Sequence, residues 1–431
     1  MRKISEVTEA FLHYLWQYRL INFKNLRTDN GLEIEVVTPG QYNSGAGPDF
    51  FNARLRIDGT LWAGNVEIHI HASDWKRHNH HNDDSYDSCI LHVVYENDSA
   101  TMRMNGTSIP AIEIKNKFPS WLWDNYLKLI GTRGWISCQH RIMETDDSTW
   151  STTIDRMIYE RLEHRQKQIL IALNGNKGDW EECFYQHLSR NFGFQLNALP
   201  FEMLARSLPL RIIRKERDCI TDIEALLFGQ AGMLNDTFNE EYPIQLQDVY
   251  RHLSNKYSLR SNSFSTWKLL RLRPVNFPAL RISQLSALMF RHPIIFGEIT
   301  SAKSLDNIIS VFKVQSSEYW NTHYHFNNSS SYKNKKLGTD SINNILINTC
   351  IPFIYTWGKY IGDLEVSERA LSFLKQLPAE DNHLLKRWRE VGVKVQSAVD
   401  SQALIQLKMM HCSEKKCLTC SIGKSLINVL P

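Results

Sequence analysis

The 431-residue sequence predicts an α+β protein, with a small mixed β-sheet domain over residues 1–118 and a large, mainly α-helical region over 119–431. Three observations carry this reading. From about residue 31 to 117, short runs rich in β-branched and aromatic residues alternate with Gly, Pro, Asn and Asp turn signals, the texture of strands. After about 119, apolar residues recur at helical spacing almost to the end. Apolar residues at 42% and charged residues at 22% are ordinary globular values, which excludes wholesale disorder, a collagen-like fibre and a coiled-coil rod.

The elements follow in order. Over residues 5–22, Val7, Phe11, Leu15 and Tyr18 fall on one helical face, with Ser5 as the expected N-cap. Strands are expected in LEIEVVTPG, FNARLRID, TLWAGNVEIHIHA, SCILHVVYEN and PAIEIKN, with a helix or turn over 74–86. The run 154–175 reads as a long amphipathic helix ending in Asn-Gly, and 179–193 as a helix capped by Asp179 and Gly193. Further helices are expected near 221–235, 245–258, 278–290, 303–313, 340–358, 366–376 and 383–391, and an exposed loop over 327–339. Gly229 and Gly232 within a helical pattern permit tight packing or a break.

Charge and targeting narrow the function classes. Lys and Arg number 50 against 46 Asp and Glu, and the resulting +4 is too small to argue nucleic-acid binding from net charge. No apolar run approaches the ~18–20 residues of a membrane span, and the N-terminus lacks a signal-peptide pattern. The eight Cys are scattered apart from one C-terminal cluster, which argues for free thiols and a cytoplasmic protein.

The most informative stretch is Gly47-Pro48-Asp49-Phe50 followed by Glu67-Ile68-His69. Asp49 opens a strand after a turn, and Glu67 and His69 share one face of the next. A hairpin through Asp58-Gly59 brings Asp49 and Glu67 together at one end, and two carboxylates suit a hard divalent cation such as Mg²⁺. This arrangement resembles the PD-(D/E)XK nuclease superfamily, in which a Pro-Asp and a following acid-x-Lys hold Mg²⁺. The element order is the nuclease-like αβββαβ. The resemblance implies catalytic roles for Asp49, Glu67 and His69, metal ligation by Asp49 and Glu67, and an added acid from Glu6 or Glu9. His69 stands where that superfamily usually has Lys, and so lacks a fixed charge at neutral pH. A literal acid-x-Lys, Glu113-Ile114-Lys115, lies one strand later and ranks lower.

Six of the 16 His fall within residues 69–92: His69, His71, His78, His80, His81 and His92. Imidazole with carboxylate suits Zn, Mn or Fe, so this run is a second metal-binding candidate. The competing reading is a solvated turn for the loop histidines and a satisfied core residue for His92. In the helical region, Arg271, Arg273 and Arg281 are candidate nucleic-acid contacts, against a structured corner whose arginines pair with carboxylates.

The tail carries Cys412, Cys417 and Cys420, with Lys415 and Lys416 expected to favour thiolates. Three Cys with His411 or Cys350 would close a structural Zn²⁺ site, and an iron–sulfur cluster is the alternative. A tetrahedral Zn²⁺ would draw the sulfurs to within ~4 Å of one another. The loop also resembles the cluster loops of some DNA glycosylases.

Taken together, GPDFFNARLRI, WAGNVEIHIHASDWKRH, ILHVVYEND, EALLFGQAGML, RLRPVNFPALRISQL and CSEKKCLTCSIG are similar to the bacterial family catalogued as domain of unknown function 2851. That resemblance implies no activity. The residues leave two expectations: a Mg²⁺-dependent nuclease or phosphodiesterase acting on nucleic acid, or a non-catalytic binding or scaffold protein with a structural metal clasp. A zinc-dependent hydrolase built on the His cluster ranks third.

Overall fold

A computed structural model describes residues 7–24, 26–270 and 272–430, so Ser5 and Glu6 lie outside the described residues. The chain forms two compact units, Met1–Thr153 with Leu407–Pro431, and Ile154–Gln406. The texture change at 118 marks where strands give way to helices. Packing draws the division elsewhere, because the C-terminal segment returns to the first unit. The Tyr14 hydroxyl donates to Asn428 Oδ1 at 2.9 Å, and the Asn125 amide donates to the Ile427 carbonyl at 3.1 Å.

In the first unit, helix α1 (Glu9–Gln17) precedes strands β1 (Ile34–Thr38), β2 (Gln41–Tyr42), β3 (Phe50–Ile57) and β4 (Thr60–His71). A short helix, α2 (Asp74–Arg77), then leads to β5 (Cys89–Glu96), β6 (Ala111–Glu113) and helix α3 (Ser120–Gly131). The sheet order is β1-β3-β4-β5-β6, with β2 also on β3. The expected order αβββαβ is present, with β2 inserted.

β3 and β4 form the expected hairpin, with Ile57 opposite Thr60. Asp58 and Gly59 both have positive φ, 48° and 78°, as a two-residue turn matched to strand twist requires. Along β3, Phe50, Ala53, Leu55 and Ile57 are buried while Arg54 and Arg56 are exposed. The register slips between Phe50 and Ala53, where Asn52 has φ 56°, so a bulge lies beside Asp49.

β4 pairs with β5 in parallel, which demands a crossover, here residues 72–88. Residues Cys89–Val94 are all buried, as the near-continuous apolar run of an inner parallel strand predicts. Helix α1 packs against β4 and buries Phe11, Leu12, Leu15 and Trp16. Each such side chain contributes about 1.5–3 kcal/mol.

The second unit is mainly helical. The Asp179 carboxylate caps the helix Trp180–Phe192 by accepting from the Glu182 N–H. Gly229 lies against the Tyr250 ring, where a Cβ would come within 2.1 Å, and Gly232 takes φ 74° just past the helix Ile220–Gln230. The two glycines thus serve both expected roles, close packing and a break. Within the expected loop, Asn328–Ser329 pairs with His323–His325 as a small hairpin. Among the described residues, no helix is long and apolar enough to cross a membrane.

Candidate functional site

Asp49 and Glu67 are brought together by the hairpin. The Asp49 N–H donates to Glu67 Oε2 at 3.0 Å, and the Ile68 N–H donates to Asp49 Oδ2 at 3.0 Å. The loop before Asp49 is shaped by Asn43, whose amide donates to the carbonyls of Ala46 and Pro48 at 3.0 and 3.1 Å. Helix α1 contributes His13, with Nε2 3.2 Å from Asp49 Oδ2. The residue of α1 that meets Asp49 is therefore an imidazole, where the nuclease resemblance implied an added carboxylate.

The other oxygen of Glu67 faces histidines. Oε1 lies 3.5 Å from His69 Nε2 and 3.4 Å from His80 Nε2. His78 Nδ1 approaches His69 Nε2 at 3.2 Å. Among the described residues, His69, His78 and His80 form the one set of three or more metal-ligating side chains whose donor atoms all lie within 4.8 Å of one another.

His78 and His80 reach this centre because the crossover folds back over β4. Trp75 and Tyr86 are buried beneath it, and the Trp75 Nε1–H donates to the Met102 carbonyl at 2.9 Å. Asn79 takes the left-handed conformation between the two histidines, and His80 stacks on Tyr86 with centroids 3.8 Å apart. The solvated-turn reading therefore fails for His80, which is half-buried, while His78 stays exposed to solvent even as it reaches His69. The sequence signal for their return was the pair of large aromatics in an otherwise polar segment. His71 turns instead towards Glu96, and the imidazole of His81 contacts the Asn82 amide.

His92 is a satisfied core residue, as expected, with Nε2 2.8 Å from His69 Nδ1 and Nδ1 2.8 Å from Thr101 Oγ1. For His69 to offer a lone pair at Nε2, its Nδ1–H must donate to His92, whose own Nδ1–H then donates to Thr101. This outer-shell chain fixes the tautomer a ligand needs. Burial pushes the imidazole of His69 down to about 2, helped by the neighbouring His92, and that of His92 down to about 3. Both rings stay neutral at physiological pH. Burial raises the Glu67 carboxyl, against the lowering effect of its hydrogen bond with His80.

The acid-x-Lys at Glu113 and Lys115 is engaged elsewhere. Lys115 pairs with Glu96, and Glu113 Oε2 accepts from the Asn97 N–H at 2.9 Å. Of the arginine candidates, Arg271 lies outside the described residues, and Arg273 is exposed. Arg281 is only 3% exposed. It donates to Gln284, Asn276 and Ser341 at 2.9, 2.7 and 2.9 Å and sits over the Phe194 ring. The two terminal nitrogens of its guanidinium are engaged inside the fold, on amides and a hydroxyl, where the corner reading expected carboxylates.

Cys412, Cys417 and Cys420 line one cavity together with His411 and with Cys138, which the sequence reading did not include. Cys350 is instead fully buried in the core of the second unit. Burial raises the thiols of Cys138, Cys412 and Cys417, and it outweighs the lowering effect of Lys408 on Cys412 and of Lys415 on Cys417. Lys415 donates to the Ile130 carbonyl at 2.6 Å, and Lys416 pairs with Glu414.

Comparison with known proteins finds a family model described as "Protein of unknown function (DUF2851)", which matches residues 9–383. No curated protein and no solved structure matches the chain.

Proposed function

The chain belongs to this DUF2851 family, and from the geometry of the histidine–carboxylate centre we propose that the protein is a cytoplasmic metal-dependent hydrolase that cleaves phosphodiester bonds in nucleic acid. One observation carries the reading: Glu67 Oε1 lies 3.4–3.5 Å from the Nε2 atoms of His80 and His69, within a three-histidine set of ligand spacing. Three imidazoles favour Zn²⁺, Mn²⁺ or Fe²⁺ over the all-oxygen shell of Mg²⁺. The proposed metal thus departs from the Mg²⁺ expected of Asp49 and Glu67 alone.

In this reading His69, His78 and His80 hold the ion as neutral nitrogen donors. A bound divalent ion supplies Lewis-acid polarisation and an activated water. Glu67, with its carboxyl raised by burial, is placed to take a proton from that water. Asp49 is a positioning residue: its N–H fixes the far oxygen of Glu67, and its own carboxylate is steadied by Ile68 and His13. The phosphodiester substrate is supported by the αβββαβ order around Asp49 and Glu67, the arrangement the nuclease resemblance implied.

The test is an assay of the full chain, loaded in turn with Zn²⁺, Mn²⁺, Fe²⁺ or Mg²⁺, on single- and double-stranded DNA and RNA. Cleavage with a transition metal, abolished in His69→Ala, supports the proposal. Metal binding without cleavage of any of these substrates would favour the non-catalytic scaffold, and equal cleavage by Glu67→Gln would remove Glu67 from the chemistry.

A further inference from the structure

Four of the eight cysteines meet at one place in the first unit. Cys138 comes from the irregular segment after α3, and Cys412, Cys417 and Cys420 come from the C-terminal segment, more than 270 residues later. All four are free thiols. Cys412 ends a π-helical stretch, Leu407–Cys412, and Cys420 is the N-cap of the last helix, Ser421–Ile427. π-Helical turns are rare and recur at functional sites.

Specific contacts hold the two segments together. The Lys408 ammonium donates to the Trp135 carbonyl at 3.0 Å, and Lys415 donates to the Ile130 carbonyl. The Cys420 N–H donates to the Cys417 carbonyl at 3.3 Å, closing a tight turn between those two residues. Gly423 lets the last helix press on this turn, since a Cβ there would stand 2.2 Å from the Cys417 carbonyl oxygen. A built, two-segment cradle of four thiols is more than a chance gathering of cysteines.

The donor set decides what the cradle fits. Four thiolates complete the tetrahedral shell of one Zn²⁺, or the outer ligand positions of an iron–sulfur core. All four sulfurs line one small cavity of about 20 Å³.

We propose that Cys138, Cys412, Cys417 and Cys420 together ligate one thiolate-bound metal centre, a Zn²⁺ ion or an iron–sulfur cluster, that ties the C-terminal segment to the segment after α3. Ligation exchanges four S–H bonds for four S–metal bonds and releases four protons. Aqueous Zn²⁺ binds without a change of oxidation state and the protons go to solvent; a preformed cluster is transferred intact from a thiolate donor, which takes up the protons, so no electron changes hands. With four protein sulfurs the centre has no open site, and its role is to clasp the fold. This inference does not depend on the hydrolase reading, because its residues lie apart in sequence from the histidine centre and its readout is not cleavage.

The deciding experiment is anaerobic purification of the full chain from iron-replete cells, with measurement of iron, acid-labile sulfide and zinc. The reduced protein's electron paramagnetic resonance signal is recorded alongside. The expected result is one metal centre per chain, read either as stoichiometric zinc in a colourless protein or as a brown protein with iron and sulfide in equal amounts and a signal characteristic of a cluster. Cys138→Ser and Cys417→Ser should lose most of that metal, whereas Cys219→Ser, an exposed cysteine outside the cavity, should retain it. Wild-type protein with neither metal and four freely titrating thiols would overturn the proposal, and that measurement needs no variant to fold. Retention of the full metal content by a folded Cys138→Ser would overturn the assignment of the fourth ligand.

Discussion

The Nδ1 of His69 and the Nε2 of His92 stand 2.8 Å apart, both rings are buried, and Thr101 closes the chain behind them. A metal on His69 is thus backed by a hydrogen bond that orients the ring. His92→Ala is expected to weaken Zn²⁺ or Mn²⁺ binding about 10–100-fold while leaving His78 and His80 in place. Competitive chelator titration measures this, and an unchanged affinity would separate His92 from the metal centre.

The same pair makes the metal-free protein acid-sensitive. The unfolded imidazoles titrate near 6.5, and the folded ones near 2 for His69 and 3 for His92. Below 6.5 the unfolded state takes up protons that the folded state refuses, so stability is present above 6.5 and is lost as pH falls towards 3. Each group contributes a slope of about 1.4 kcal/mol per pH unit in that window. Urea unfolding of chelated protein at a series of pH values should show this fall. The slope should become shallower in His92→Gln, which keeps a polar side chain without the titrating ring.

Glu67→Gln keeps an oxygen to accept the Asp49 N–H but loses the basic carboxylate. The expected outcome is a loss of hydrolysis of about 10²–10⁴-fold. Metal content should stay near that of the wild type, because the three histidines remain. Activity and elemental analysis on the same preparation separate chemistry from binding.

Arg281→Ala should behave as a stability variant. It removes donors to Gln284, Asn276 and Ser341 and leaves those buried or half-buried acceptors short of a partner. Each unsatisfied buried group costs about 1–3 kcal/mol, so the melting temperature should fall by several degrees. Nucleic-acid affinity of the folded variant, read by fluorescence anisotropy, should match the wild type; a selective loss of affinity would restore Arg281 as a contact.

Gly423→Ala adds a Cβ that meets backbone at 2.2 Å. Either the last helix or the turn from Cys417 to Cys420 must shift, at a cost of about 1–3 kcal/mol. Thermal unfolding should show the loss, and protease sensitivity should rise near residues 407–430.

Local patterning was enough for much of this protein. The order α1, three antiparallel strands, crossover and parallel strand is written in runs of alternating and continuous apolar residues and in the Asp58-Gly59 turn. These act over a few residues and so are legible without a partner. The approach of Asp49 to Glu67 follows from the same hairpin, because strand pairing converts sequence distance into spatial distance by a fixed rule. The helix caps at Asp179 and Gly193 are likewise short-range. No such rule brings His78 and His80 onto His69. Their positions depend on Trp75 and Tyr86 burying themselves against the sheet and pulling a polar segment back over β4. Likewise, the three tail cysteines stand out by spacing, but Cys138 joins them through contacts between segments more than 270 residues apart. The sequence left Arg281 between a nucleic-acid contact and a structured corner, and the packing around Phe194 and Gln284 encloses it. Burial and long-range contact are properties of the whole packed chain, and they decided which of the marked residues meet.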